Sequence, residues 1–331
     1  MRLWALAGLY VGGVIGAGFA SGQELVVFFV DYGSKGLIGI FAAAVLLCLG
    51  TVLILDFCAR YAVTSYAQIF DCLHPRLSRA FDLLYSAFLL IGTSVMLAGI
   101  GALASTPPWG LLLRLGTSLL ILFALAAGAQ GVTVLSGWLA PILVLILSVL
   151  ASHRLIQYGL ALPRGGSFRA FEAAILYGSY NLGFALAVLA AVHKELKTAA
   201  QRWKLAIVAN STLAVCMVLL YLALGTLSKS QLKEAFPLVH LVADLGPVAY
   251  ASYRFMLWGA MFSTAVAHSL ALVQRLSQFQ GSSWGTKSLF AIGASLGLSY
   301  FGFSTLIRIA YPILGLAGLW IMALLIHERR G

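Results

Sequence analysis

Charge is what this sequence lacks most. Only 9% of its 331 residues are Asp, Glu, Lys or Arg, and the acids number ten against twenty-one bases. With 61% apolar residues, a soluble domain is excluded and a polytopic membrane protein is left, with no stretch polar and long enough for a large aqueous domain. The formal charge of +11 does not indicate nucleic acid, because the Lys and Arg residues fall mostly in short gaps between apolar runs, where orientation and lipid contact explain them. Cysteine is scarce as well. Cys48, Cys58, Cys72 and Cys216 lie singly in or beside apolar runs, which excludes a disulfide framework and gives no metal or redox spacing. An HExxH motif, a phosphate loop, and a serine, histidine and acid set assignable to one site are all missing, so no enzyme class is supported. No cleavable signal peptide is expected, since a basic leader and short apolar core are absent before the first long apolar segment.

What is present is apolar length. Runs of about 17 to 25 residues suit single crossings of a bilayer. They fall near 3–30, 35–59, 81–105, 109–128, 134–152, 169–193, 203–227, 249–274, 285–302 and 305–326, about ten spans of an all-α integral membrane protein. With the N-terminus inside, the inner gaps carry Arg2, Arg60, Arg76, Arg79, Lys194, Lys197, Arg202, Lys204, Arg275, Lys287, Arg329 and Arg330. The outer gaps carry the smaller set Lys35, Arg114, Arg154, Arg164, Arg169, Lys229 and Lys233. The positive-inside rule then puts both termini of a multi-pass protein in the cytoplasm and the chain in the cytoplasmic (inner) membrane.

The first span breaks the pattern. As one straight helix it would be about 42 Å long at roughly 1.5 Å per residue, against a hydrocarbon core of about 30 Å. Gly12, Gly13, Gly16, Gly18 and Gly22 crowd its middle, each costing a helix about 1 kcal/mol relative to alanine. Ser21-Gly22-Gln23-Glu24 then reads as a capping box that starts a new helix. Two half-helices are expected, and irregular backbone at membrane depth survives only where protein buries it or it lines a cavity. The sixth span corresponds: Leu9-Tyr10, glycines and Gly18-Phe19-Ala20 match Leu176-Tyr177, Gly178-Ser179-Tyr180-Asn181 and Gly183-Phe184-Ala185. Paired glycine interruptions in two halves point to a transporter site at the midplane. The expected architecture is a single transmembrane domain over 1–331 in a five-plus-five inverted repeat, about 3–152 and 169–326, with helices 1 and 6 broken.

The residues around such breaks divide by chemistry. Amides of Gly16, Ala17 and Gly18, with Ser21, would suit a carboxylate, and carbonyls before the break would suit an ammonium group or sodium ion, which together fit a zwitterion. Ser263-Thr264, three residues after Ala260, supply adjacent hydroxyls for a hard cation, although such hydroxyls also bond back to their own helix. Glu24 is an intramembrane acid, readable as a cap or as a proton or substrate group. His268 lies one turn beyond Thr264 on the same face and is the side-chain type that titrates near neutral pH, so it joins Glu24 as a proton or gating candidate. Tyr177, Ser179, Tyr180 and Asn181 would shape the second break, and Thr93 with Ser94 would form a wall.

Gly16 to Glu24, GAGFASGQE, followed by Phe28-Phe29 and Tyr32-Gly33, closely resembles the opening of the YkvI-like family of bacterial membrane proteins. That family is similar in layout to the amino acid, polyamine and organocation (APC) superfamily, whose five-plus-five architecture is called the LeuT fold. The resemblance implies a sodium site from the carbonyls of Gly13, Gly16 and Ala260 and the hydroxyls of Ser263 and Thr264. Proton-coupled relatives with a lysine on helix five are not matched, because span five has no internal lysine. Monoamine carriers have an aspartate on helix one where this chain has glycine, which favours an amino acid over a bare amine. The implied function is a secondary transporter of a small zwitterionic solute, a sodium symporter working by alternating access, with no cofactor besides the coupling ion and no partner besides solute and bilayer. The alternatives are a sensor of the same fold that binds without carrying, and a proton-coupled carrier; a channel lacks a continuous polar lining. The sequence sets no oligomeric state.

Overall fold

Backbone amides in lipid must be paired within their own segment, and this chain pairs them in helices. A computed structural model describes residues 3–73, 76, 78–104, 106–128, 130–277 and 283–330; Arg2 and the side chains of Ala17, 130–140, Arg329 and Arg330 lie outside the description. The fold is 84% helix, with no strand among the described residues. In chain order the helices are α1 (Leu3–Val14), α2 (Ala17–Ser21), α3 (Gln23–Phe28), α4 (Gly36–Tyr61), α5 (Tyr66–Leu73), α6 (Ser78–Ala102), α7 (Pro107–Ala126) and α8 (Gln130–Tyr158). They continue with α9 (Arg169–Val192), α10 (Ala199–Leu224), α11 (Lys229–Leu232), α12 (Val239–Ala243), α13 (Pro247–Leu276), α14 (Trp284–Ser299) and α15 (Phe303–Arg330).

Eight of these, α4, α6, α7, α8, α9, α10, α13 and α15, are long and apolar enough to cross a bilayer. The other two expected spans differ. The first is cut into α1, α2 and α3, and α14 has only 16 residues, about 24 Å at 1.5 Å per residue and so short of a 30 Å core. Helix ends follow local chemistry. Thr198 and Gln201 form a reciprocal capping box that starts α10, and Gly246, at φ 96°, turns the chain into Pro247, the first residue of α13.

The helices pack as two groups, each drawing on both halves of the chain. Helices α6, α7, α13 and α14 all touch one another, while α4 packs on α9 and α10, and α1 on α9 and α10. Helix α15 lies against α9 and α6, and α8 against α1, α10 and α13. A buried polar cluster ties the second group: the Tyr10 hydroxyl donates to Asn210 Oδ1 at 3.0 Å and lies 2.9 Å from Thr51 Oγ1, linking α1, α10 and α4.

The expected break in the sixth span does not form. Helix α9 runs unbroken from Arg169 to Val192, through Tyr177, Gly178, Ser179, Tyr180 and Asn181. Its glycines serve packing instead. A Cβ on Gly178 would come within 2.7 Å of Leu46 on α4, and one on Gly183 within 2.8 Å of Phe88 on α6. From the other side, Gly315 of α15 lets that helix approach the Leu176 backbone, where a Cβ would lie 2.8 Å from the carbonyl oxygen. Small residues at membrane helix contacts allow such approach, and the contacts offset the helix cost of glycine.

Candidate functional site

The break in the first span is real and has two parts. Helix α1 ends at Val14, so its last carbonyls have no partners in their own helix; the Gly16 amide reaches back only to Val14 O, at 3.0 Å. Helix α2 begins after Gly16, whose carbonyl accepts the Ala20 amide at 3.1 Å. The second turn of the chain is at Gly22, φ 85°, a left-handed conformation suited to glycine, where a Cβ would also lie 2.7 Å from Leu238. Neighbours take up the carbonyls around α2: Tyr253 on α13 donates its hydroxyl to Ala20 O, and the Leu238 amide donates to Ser21 O at 3.1 Å.

The capping box forms by half. Ser21 Oγ accepts the Gln23 amide at 3.1 Å and donates to Gly18 O at 2.8 Å, but the N-cap of α3 is Gly22, with no side-chain cap bond. Glu24 does not close the box. Only 2% exposed, its carboxyl group accepts the Tyr180 hydroxyl at 2.7 Å. It lies so close to Gly18 that a Cβ there would overlap its Oε1. The first turn of α2, where a solute carboxylate was expected, is therefore crowded by an acid of the chain itself. Aromatic rings seal this cluster: Tyr180 packs on Phe28 at 5.4 Å and Tyr311 at 4.8 Å, and Tyr177 on Phe29 at 5.0 Å.

A cavity of about 260 Å³ adjoins the break on its α1 side. Its walls are Leu9, Gly12, Gly13 and Ile15 of the first span, Tyr85 and Leu89 of α6, Leu143 of α8, Phe184, Ala187 and Val188 of α9, and Ala260, Ser263, Thr264, Ala267, His268 and Ala271 of α13. The volume is below the roughly 300–1,000 Å³ usual for small-molecule sites, so an occupant is small. At the end of the bundle where α9 and α13 start, the helices are tied together: Arg154 pairs with Asp244 at 2.7 Å, Arg308 with Asp31 at 3.0 Å, and Tyr221 donates to Gly33 O at 2.6 Å.

Of the five expected ion ligands, Gly13, Ala260, Ser263 and Thr264 meet in this one cavity; Gly16 is not in its lining. The Ser263 hydroxyl donates to Ala260 O at 3.1 Å, which leaves the serine oxygen's lone pairs for a cation. His268 is also in the wall, its ring stacked on Phe184 at 5.0 Å and 12°. The other candidates lie elsewhere. Tyr177, Ser179, Tyr180 and Asn181 are buried inside α9 contacts, with Asn181 Nδ2 donating to Tyr177 O at 2.9 Å. Thr93 and Ser94 bond back to Leu89 O at 3.0 Å and Leu90 O at 2.7 Å and are not in the lining. Ala17 opens α2, and its side chain lies outside the description.

Several residues in or behind the cavity wall escaped the sequence reading. Tyr85, Leu89 and Gly92 fall on one face of α6 at intervals of four and three, a helical stripe legible in principle. Gly92 makes room for the histidine: a Cβ there would lie 2.5 Å from His268 Nδ1. Phe184 sat in the repeat match but was passed over as a wall.

No family model matches the chain. It is homologous to two proteins of Bacillus subtilis (strain 168): the membrane protein YkvI, 25% identical over 341 aligned positions covering 98% of this chain and 95% of the relative, and YyaD, 26% identical over 332 positions with the same coverage. Among solved structures it resembles Mhp1, a nucleobase-cation-symport-1 family transporter. The inward-facing conformation of Mhp1 matches with a TM-score of 0.67 at 12% identity, covering 98% of this chain and 75% of that one. A closed conformation with bromovinylhydantoin bound gives 0.59 at 14%, covering 94% and 74%. A manganese transporter of Eremococcus coleocola gives 0.51 at 15%, covering 95% and 68%. All are membrane transporters rather than enzymes, and at these identities they show the fold alone, which is of the LeuT type.

Proposed function

We propose that this chain, homologous along its length to those two Bacillus proteins and folded like a symporter, is a secondary transporter of a small organic solute, with sodium as its coupling ion. One observation carries the reading: the carbonyl end of α1 and the Ala260, Ser263 and Thr264 oxygens of α13 share one small cavity at a helix break. Carbonyl and hydroxyl oxygens suit a hard monovalent cation, and the break brings them to membrane depth. With the chain in the cytoplasmic membrane and both termini inside, the cavity lies in the cytoplasmic half of the bundle, and the ties at Arg154, Arg308 and Tyr221 join the helices at the outer end. Alternating access exchanges these two ends. The sequence points to a zwitterionic solute through amides at the break; the Glu24 side chain lies against Gly18 there, which weakens the case for a solute carboxylate.

Purified protein in proteoliposomes tests the reading. A transporter accumulates solute against its gradient when sodium is imposed outside; a receptor of the same fold binds without accumulation.

A further inference from the structure

A second cavity lies at the far end of the bundle from the Arg154, Arg308 and Tyr221 ties, where α4 and α15 finish and α10 starts. It measures about 440 Å³ and shares no lining residue with the cavity at the break. Its chemistry changes along the helices. Leu53 and Phe57 of α4 and Leu325 of α15 line the part nearer the middle of the bundle. Arg60 follows Leu53 by two turns, about 10 Å at 1.5 Å per residue, and with Lys197 it stands at the exposed rim.

Three bases of the lining, Arg60, Lys197 and Arg202, stand against two acids, and both acids have partners. Asp56 Oδ1 accepts Arg202 Nε at 2.6 Å, and Glu328 Oε1 accepts the Tyr61 hydroxyl at 2.8 Å. Arg202 also donates through Nη1 to Leu196 O at 3.4 Å, which leaves its Nη2 donors over. Arg60 and Lys197 have no acid within ion-pair distance among the described residues. The cavity thus has surplus positive charge and spare N–H donors at one end and hydrocarbon at the other. A free inorganic anion would use only the charged end. An amphiphile uses both, and the order of the two ends is that of a lipid in the adjoining leaflet, headgroup outward and chains toward the bilayer middle.

We propose that this cavity binds an anionic phospholipid, its phosphate held by Arg60, Lys197 and Arg202 and the upper part of its chains laid against Leu53, Phe57 and Leu325. The orientation read from the basic gaps makes this the cytoplasmic side, where the leaflet is negatively charged. Arginine's fork suits the paired oxygens of a phosphate, and basic pockets between membrane helices on that side accept phospholipid headgroups. The lipid bridges α4, α10 and α15, helices from both halves of the chain, and leaves the cavity at the break untouched.

The test follows the thermal midpoint of the purified full chain in neutral detergent and about 0.15 M salt, where exposed surface charge is screened. Three probes are titrated: dioleoylphosphatidylglycerol, dioleoylphosphatidylcholine and inorganic phosphate. The glycerol lipid should bind saturably, and the choline lipid, whose headgroup carries no net charge, about tenfold more weakly or worse. Inorganic phosphate should give no shift. Equal binding of the two lipids, or no saturable shift from either, overturns the proposal, and phosphate that matches the glycerol lipid overturns a lipid as the occupant. A second arm locates the site. Arg60→Gln with Lys197→Gln should weaken phosphatidylglycerol binding about tenfold or more, whereas Lys194→Gln with Lys204→Gln, the same charge removed outside the lining, should change it less than about twofold. Equal losses would assign the lipid to general surface charge and overturn the site. Ala59→Trp keeps every charge and fills the cavity from an exposed position of its lining, so it decides the matter even if the first variant fails to fold. Binding should be lost there, and binding that persists overturns the site.

Discussion

Tyr180 of α9 donates its hydroxyl to the Glu24 carboxylate of α3 at 2.7 Å, across 156 residues of sequence and with both side chains buried. The bond joins the break in the first span to the unbroken sixth. It makes two segments that the sequence paired by likeness into direct partners. Removing one partner of a buried hydrogen bond leaves the other unsatisfied, which costs about 1–3 kcal/mol.

Tyr180→Phe should therefore destabilise the protein by about 1–3 kcal/mol, read as a lower thermal midpoint in detergent. Adding Glu24→Gln should cost less than the sum of the two single changes, because one interaction is being removed twice. Strict additivity would mean that the pair is not coupled.

Helix packing gives a sharper contrast. Gly318→Ala drives a methyl group into the Ser179 carbonyl, a backbone atom that cannot rotate aside, and should cost about 1–3 kcal/mol or more. Gly293→Ala on α14 meets nothing within 4 Å and should be neutral or stabilising, by up to about 1 kcal/mol from helix propensity. Equal midpoints for the two variants would contradict the packing of α15 on α9.

Gly92→Ala places a Cβ 2.5 Å from His268 Nδ1. The imidazole must then shift, and with it the ring pair that His268 and Phe184 form in the cavity wall. Solute affinity should fall about tenfold or more, a loss of roughly 1.4 kcal/mol, with a small change in midpoint. Isothermal titration with a bound probe checks it, and unchanged affinity would remove His268 from the wall.

What was legible in the sequence had a local cause. The break in the first span follows from glycines crowded into a dozen residues, and the cavity face of α13 from Ala260, Ser263, Thr264 and His268 at helical spacing. The same reasoning failed on α9, because Gly178 and Gly183 are there to admit Leu46 and Phe88, and only the neighbours distinguish a packing glycine from a breaking one. Glu24 misled for a related reason. Three residues after Ser21 it fits a capping box, yet a buried tyrosine on another helix offers it a better partner than the Ser21 backbone does. Tertiary contacts decided between two locally reasonable conformations in both places. The ten expected spans fared similarly: eight are long and apolar enough to cross, and the other two deviate where glycine or length intervenes.

Sodium-driven uptake in the Ser263→Ala, Thr264→Ala double variant tests the central claim most directly. Reconstituted in proteoliposomes beside the unaltered protein, the double variant should remain folded and bind solute, yet lose the stimulation of uptake by an inward sodium gradient. Uptake that stays driven by sodium in the double variant would contradict the placing of the ion site at the α1 break and α13.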